Sequence, residues 1–181
     1  FAERLDFVRG RLKKEAVPYL WNLIDSHDTA RFLFQAGNKK ELLKLAAALQ
    51  LLLPGMPMIY YGDEVGMIGE KGSDCRLGMF WEKERQDLAL FDFYRRLLAI
   101  RKRYAVIGTG ETEWIRDLPE ENLLCWRFCK DGREQVTVLL NAGGCEAEAR
   151  QYAGRRELLS ESDFDGAVPA FSCCVLEGRT G

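Results

Sequence analysis

Two periodicities share the first hundred residues. Phe1, Leu5, Val8 and Leu12 recur at helical spacing, so a helix is expected at the start of the chain. After Pro18, "YLWNLI" is a dense apolar run without alternation, the pattern of a short strand buried on both faces. "ELLKLAAALQLLL" is apolar around most of its circumference, which predicts a buried helix stopped by Pro54-Gly55. Asn38, with Glu41 three residues later, predicts a capping box at its start. "MPMIYYG" reads as a second buried strand, and "DEVGMIGEKGSDCRLGMFW" as a glycine-punctuated loop of functional length. Leu90, Phe91, Tyr94, Leu97 and Leu98 share one face of a third helix expected over residues 83–103.

Beyond Tyr104 the pattern changes. "NLLCWRFCK" and "REQVTVLLNA" flank Asp131-Gly132, which reads as a hairpin, and "FSCCVLE" reads as a further strand. Residues 1–105 are therefore expected to be α/β, and residues 106–181 a small antiparallel β-domain. In the latter, Trp126 and Phe128 fall on one face and are expected in its core, while Cys125 and Cys129 share the other face and pack there.

Charge and composition narrow the function classes. The 26 basic and 28 acidic residues are well mixed, leaving a net charge of −2 and no electrostatic reason to expect nucleic acid or an anionic membrane as partner. The longest apolar run is too short to span a bilayer. The six cysteines fit no zinc template, and adjacent Cys173 and Cys174 make a poor structural disulfide, so reduced thiols and a cytoplasmic chain are expected. "FAERLDFVRGRLKKE" lacks the apolar core of a signal peptide, and a chain starting at Phe1 rather than Met suggests a piece of a longer protein.

Both predicted strands end in charged groups: "WNLI" in Asp25-Ser26-His27-Asp28, and "MIYY" in Gly62-Asp63-Glu64. In α/β architectures function gathers at the carboxyl ends of strands, so these tips are expected to meet at one mouth. A carboxylate beside the single histidine suits a base pair, a metal site or a clamp on sugar hydroxyls. A metal site wants more nitrogen or sulfur donors than one histidine supplies. A triad using Ser26 is disfavoured because neighbours on a strand point to opposite faces. The clamp fits His27 and Asp28, with Tyr60, Tyr61 and Trp81 available to pack on a ring.

The wider wording is more specific. "NLIDSHDTARFL" resembles the motif that ends the seventh barrel strand in the α-amylase family, glycoside hydrolase family 13. "LLLPGMPMIYYGDEVGM" resembles the family's eighth-strand motif, and "SDCRLGMFW" its neopullulanase, cyclomaltodextrinase and maltogenic amylase branch. The resemblance implies the last βα units of a (β/α)8 TIM barrel over 1–105, followed by a small antiparallel C-terminal β-sandwich over 106–181. It implies a retaining glycosidase acting on maltooligosaccharide, cyclodextrin or pullulan-type α-glucans, with no metal and no cofactor.

By that resemblance Asp28 matches the carboxylate that grips sugar hydroxyls and favours the oxocarbenium-like transition state, and His27 donates to the same sugar. Arg76 matches a contact in outer subsites; its usual acidic neighbour is lost, since Gly72-Ser73 stands where relatives often carry Asp-Pro, and Asp74 is the candidate to substitute for it in part. Tyr61 and Arg31 are further candidates for reaching sugar, although an arginine after a strand tip more often makes a local salt bridge, while Glu64 and Asp25 are expected to support the mouth from behind. The usual proline after the arginine is replaced by Gly78. Nothing in the chain matches the family's nucleophile or acid/base, and a retaining mechanism needs both, about 5 to 5.5 Å apart. The chain is thus expected to be inactive alone and to associate with the missing barrel portion or with itself. A non-catalytic, amylase-like binding or accessory subunit is the alternative; intact His27 and Asp28 favour the enzyme.

Overall fold

A computed structural model of the chain describes residues 2–118 and 120–178, so Phe1 lies outside the described residues. The elements in order are α1 (Ala2–Arg9), β1 (Trp21–Asn22), α2 (Phe32–Gln35), α3 (Lys40–Leu52), β2 (Met56–Pro57), α4 (Leu88–Arg103) and α5 (Val106–Thr109). There follow β3 (Glu111–Ile115), β4 (Leu123–Lys130), β5 (Arg133–Asn141), β6 (Ala147–Glu148), β7 (Arg156–Glu157), β8 (Ser162–Asp163), β9 (Ala167–Val168) and β10 (Ser172–Glu177). Among the described residues no helix is long and apolar enough to cross a membrane.

The α/β portion is a parallel pair. β1 and β2 align Trp21 with Met56 and Asn22 with Pro57. The strands are two residues long, shorter than the runs "YLWNLI" and "MPMIYYG" predicted, and Trp21 and Leu23 are exposed rather than buried on both faces. A parallel strand buries both faces only within a wider sheet covered on each side. Here side chains supply much of the fastening. Asn22 Nδ2 donates to the carbonyl of Pro54 at 3.1 Å, and Gln50 Nε2 donates to that of Met58 at 2.7 Å. Arg101 donates to the carbonyls of Leu51, Leu53 and Gly55, satisfying acceptors that the end of α3 leaves open.

Helix ends also differ from expectation. Asn38 does not cap α3: it takes the left-handed conformation at φ 63° and its N–H closes α2 onto the Leu33 carbonyl, while Lys39 precedes α3 without a side-chain cap. Asparagine tolerates that conformation better than most residues, so ending α2 wins over starting α3. α4 begins at Leu88, not residue 83, because Asp87 caps it by accepting from the Leu90 N–H at 2.9 Å. Burial opposes ionisation of Asp87, but the Lys40 ammonium 2.6 Å away and the helix N–H groups prevail and hold its carboxyl below the usual range. Leu90, Tyr94 and Leu97 are buried as expected, whereas Phe91 and Leu98 remain exposed.

The remainder is a six-stranded sheet in the order β3-β4-β5-β10-β7-β8. Asp131 and Gly132, at φ 53° and 73°, form the β4–β5 turn, as a two-residue hairpin of this handedness requires. One face packs Trp126, Phe128, Val136, Val138 and Val175 into the same core as Leu51, Leu52, Leu97 and Ile100 of the helices. Trp126 therefore sits against the α/β portion, its indole N–H donating to the Leu52 carbonyl at 3.0 Å. The opposite face, with Cys125, Leu139 and Leu176, is covered by the β6–β9 ribbon and Phe164.

Candidate active site

The loops after β1 and β2 meet. Residues 25–32 form a tight excursion closed at its base by Asp25, whose Oδ2 accepts from the Phe32 N–H at 2.6 Å. At its crest Ser26 and Thr29 brace each other: the Ser26 N–H donates to Thr29 Oγ1 at 3.0 Å, and the Asp28 N–H donates to Ser26 Oγ at 3.3 Å. His27 and Asp28 project into solvent, with side chains 65% and 68% exposed and His27 Nε2 3.2 Å from Asp28 Oδ2. A carboxylate so open is free to exchange its protein contacts for those of a polar ligand.

The long loop after β2 folds onto this crest. Arg76, in a single helical turn over Asp74–Arg76, donates from Nε to the His27 carbonyl at 2.9 Å and from Nη2 to Asp28 Oδ1 at 3.2 Å. The buried Cys75 thiol donates to the same His27 carbonyl at 3.3 Å. Tyr60 and Tyr61 hold the loop from below, donating to the carbonyls of Cys75 at 3.0 Å and Leu77 at 2.8 Å. Gly69 lets the loop close on itself, since a Cβ there would lie 2.6 Å from the Asp74 carbonyl oxygen.

The expected site residues thus divide. His27, Asp28 and Arg76 come together as one exposed constellation. Asp74 stands exposed beside Arg76 in the same turn and accepts from Ser73 Oγ at 3.3 Å. Tyr61 is partly exposed, with its hydroxyl committed to Leu77. Glu64 folds back to accept from the Gly62 N–H at 2.8 Å, and Asp25 is buried. Arg31 makes the local salt bridge and not the sugar contact: its side chain is fully buried, 2.9 Å from Asp63 Oδ1, with its guanidinium 4.5 Å from the Tyr60 ring centroid and 5.1 Å from that of Tyr61. A side chain with no accessible surface does not touch sugar; it supports the crest from beneath. Trp81, at 79% exposed, is no part of the core.

Asp63 was not singled out by sequence; its place in "GDE" at a strand tip was the only signal. Burial, then its hydrogen bond and charge repulsion with Asp25, raise its carboxyl to about 8 against the opposing pull of Arg31. Tyr60 is pushed up to about 12 by burial and by its contact with Tyr61. Tyr94, beneath them, is raised by burial and by Asp63, Asp25 and Glu64.

Comparison with known proteins adds to this geometry. Residues 9–87 match the α-amylase catalytic domain. The chain is 41% identical over 149 residues to neopullulanase 2 of Thermoactinomyces vulgaris, covering 79% of this chain and 25% of that protein. It superposes on Ttha1563 of Thermus thermophilus with a TM-score of 0.85 at 30% identity, covering 98% of this chain and 40% of that one. On the maltogenic amylase from S. marinus the TM-score is 0.83 at 26% identity, covering 96% of this chain and 24% of the other. The chain spans about a quarter of the length of the curated relatives it matches.

Proposed function

The chain belongs to the α-amylase family of glycoside hydrolases, and from that premise we propose that it is the C-terminal portion of a retaining α-glucan hydrolase. Residues 1–105 are the last βα units of its catalytic barrel and residues 106–181 its C-terminal β-sandwich. The observation that carries this reading is the exposed His27–Asp28–Arg76 constellation at the carboxyl end of a parallel strand pair.

Asp28 takes up two adjacent sugar hydroxyls in place of His27 Nε2 and Arg76 Nη2. His27, displaced by no more than a rotamer, donates to the same ring. Contacts of this kind strengthen as the ring flattens and gains positive charge, so Asp28 acts chiefly on the transition state. Arg76, with Asp74 and the partly exposed ring of Tyr61, receives the neighbouring glucose unit. Arg31, Asp25 and Glu64 stay beneath, shaping the loops. The nucleophile and the acid/base come from polypeptide outside these residues. The chain by itself therefore does not hydrolyse glycosides, and it functions joined to, or associated with, the rest of the barrel or further copies of itself. Maltooligosaccharides, cyclodextrins and pullulan-type glucans are the substrates, in the cytoplasm.

The test uses the chain's single histidine as its own probe. Maltotriose at millimolar concentration is expected to shift the His27 imidazole proton signals of the wild-type chain, and to leave those of Asp28→Asn unmoved. Equal response in the two proteins, or none in either, sinks the assignment of Asp28 as the sugar grip.

A further inference from the structure

We propose that Arg31 and Asp63 are positioning residues for Asp28, acting as a buried strut between the two strand-tip loops. The proposal deepens the glucan-hydrolase reading and rests on it for the role of Asp28, but its test needs no sugar.

Little holds Asp28 directly. Its carboxylate is 68% exposed and its two partners, His27 and Arg76, are themselves mostly exposed, so those contacts are weak and screened. Its place is set instead by bolts three residues to either side. Asp25 closes the base of the loop on the Phe32 N–H. Arg31 is tied twice to the second loop: its backbone N–H donates to the Gly69 carbonyl at 2.9 Å, and its guanidinium meets Asp63 at 2.9 Å. Nε and Nη2 of Arg31 have no hydrogen-bond acceptor among the described residues; the guanidinium lies over the faces of Tyr60 and Tyr61 instead. Those two tyrosines carry the Arg76 turn through their hydroxyls. One buried cation thus links the crest bearing Asp28 to the turn bearing Arg76.

The strut has an uneven charge count. Two buried carboxyls, Asp25 and Asp63, meet each other while one guanidinium meets Asp63, and Glu64 and Tyr94 add to the negative field around them. Asp25 Oδ1 is buried and receives no donor from any described N–H. Protonation of Asp63 resolves both problems: the O–H donates to Asp25 while the other oxygen still accepts from Arg31 Nη1. The state of this proton then sets whether the loop ends attract or repel, so the position of Asp28 follows pH through the range in which Asp63 titrates, about 8.

His27 reports on this without sugar, because its ring contacts Asp28 and no other imidazole overlaps its signals. Asp63→Asn copies the protonated acid, with an oxygen for Arg31 and an N–H for Asp25. In wild type the His27 signals are expected to show an inflection near pH 8 that follows Asp63. In Asp63→Asn they should keep the wild-type position at pH 6.5 and lose that inflection; in Asp63→Ala and Arg31→Lys they should be displaced at both pH values. Far-ultraviolet circular dichroism confirms that each variant is folded, and if Asp63→Ala does not fold, Arg31→Lys carries the comparison. Superimposable His27 titrations in wild type and all folded variants would overturn the proposal, as would an Asp63→Asn displaced as far as the others. If instead His27 behaves as expected but maltotriose does not distinguish Asp28→Asn, the strut stands and the sugar reading falls.

Discussion

The two sheets of this molecule are held in different ways. β4 and β5 pair over eight positions and are flanked on both faces by apolar layers. β1 and β2 meet over two positions, and Trp21, Leu23 and Met56 beside them are exposed. What keeps the second region in register is a set of polar fastenings: Asn22 and Gln50 between strand and helix, Arg101 on the end of α3, Arg31 and Asp63 between the strand-tip loops. The antiparallel sheet carries its own ladder, with one face in a core shared with α3 and α4 and the other in a second core under the β6–β9 ribbon. The parallel pair has the fastenings of a barrel without the breadth of one, and its groups at the strand tips are open to solvent.

Breaking the first region should have the largest effect. Trp126→Ala removes the largest fully buried side chain and orphans the Leu52 carbonyl, and should lower the unfolding free energy by about 4 kcal/mol in a urea titration. Next comes the second region's strut. Arg31→Met removes the hydrogen bond from the buried guanidinium to Asp63, at a cost of about 3 kcal/mol, the upper end for a hydrogen bond to a charged group because Asp63 is already protonated at neutral pH. Gln50→Ala frees the carbonyls of Asn22 and Met58 and should cost about 1–2 kcal/mol by the same titration.

A pH series sharpens the contrast. Folded Asp63 keeps its proton up to about pH 8, whereas in the unfolded chain it loses it near the ordinary carboxylate value of about 4. Between these limits the folded state binds the extra proton, so this group's contribution to stability is full below about pH 4 and is lost as pH rises toward 8. The difference between wild-type and Asp63→Asn urea midpoints should therefore change steadily from pH 5 to pH 8, and the wild type should lose more. Arg76→Ala, which breaks an exposed pair, should change stability by less than about 1 kcal/mol.

Much of this was legible in the sequence because it depended on local pattern. The Asp131-Gly132 hairpin, the buried face of Leu90, Tyr94 and Leu97, and the charged strand tips each follow from residue order alone. What failed to show depended on distant partners. Asn38 is a good cap for either of two helices, and only the path of the chain decides that it ends α2. Five apolar residues of the six in "YLWNLI" read as a strand buried on both faces, but burial depends on neighbouring strands, which lie in other parts of a sheet. Trp126 was legible as core, but not that its core is shared with α3 and α4. Arg31 and Asp63 are 32 positions apart, and nothing in either segment marks them as a pair.

The most direct measurement is turnover by the purified 181-residue chain, wild type beside Asp28→Asn, with β-cyclodextrin and maltotriose as substrates and released sugars quantified by chromatography. No products are expected from either protein, because the sugar grip proposed for Asp28 and His27 cannot by itself break a glycosidic bond. Products from the wild-type chain that vanish in Asp28→Asn would contradict it, and would mean that these residues contain a complete catalytic site.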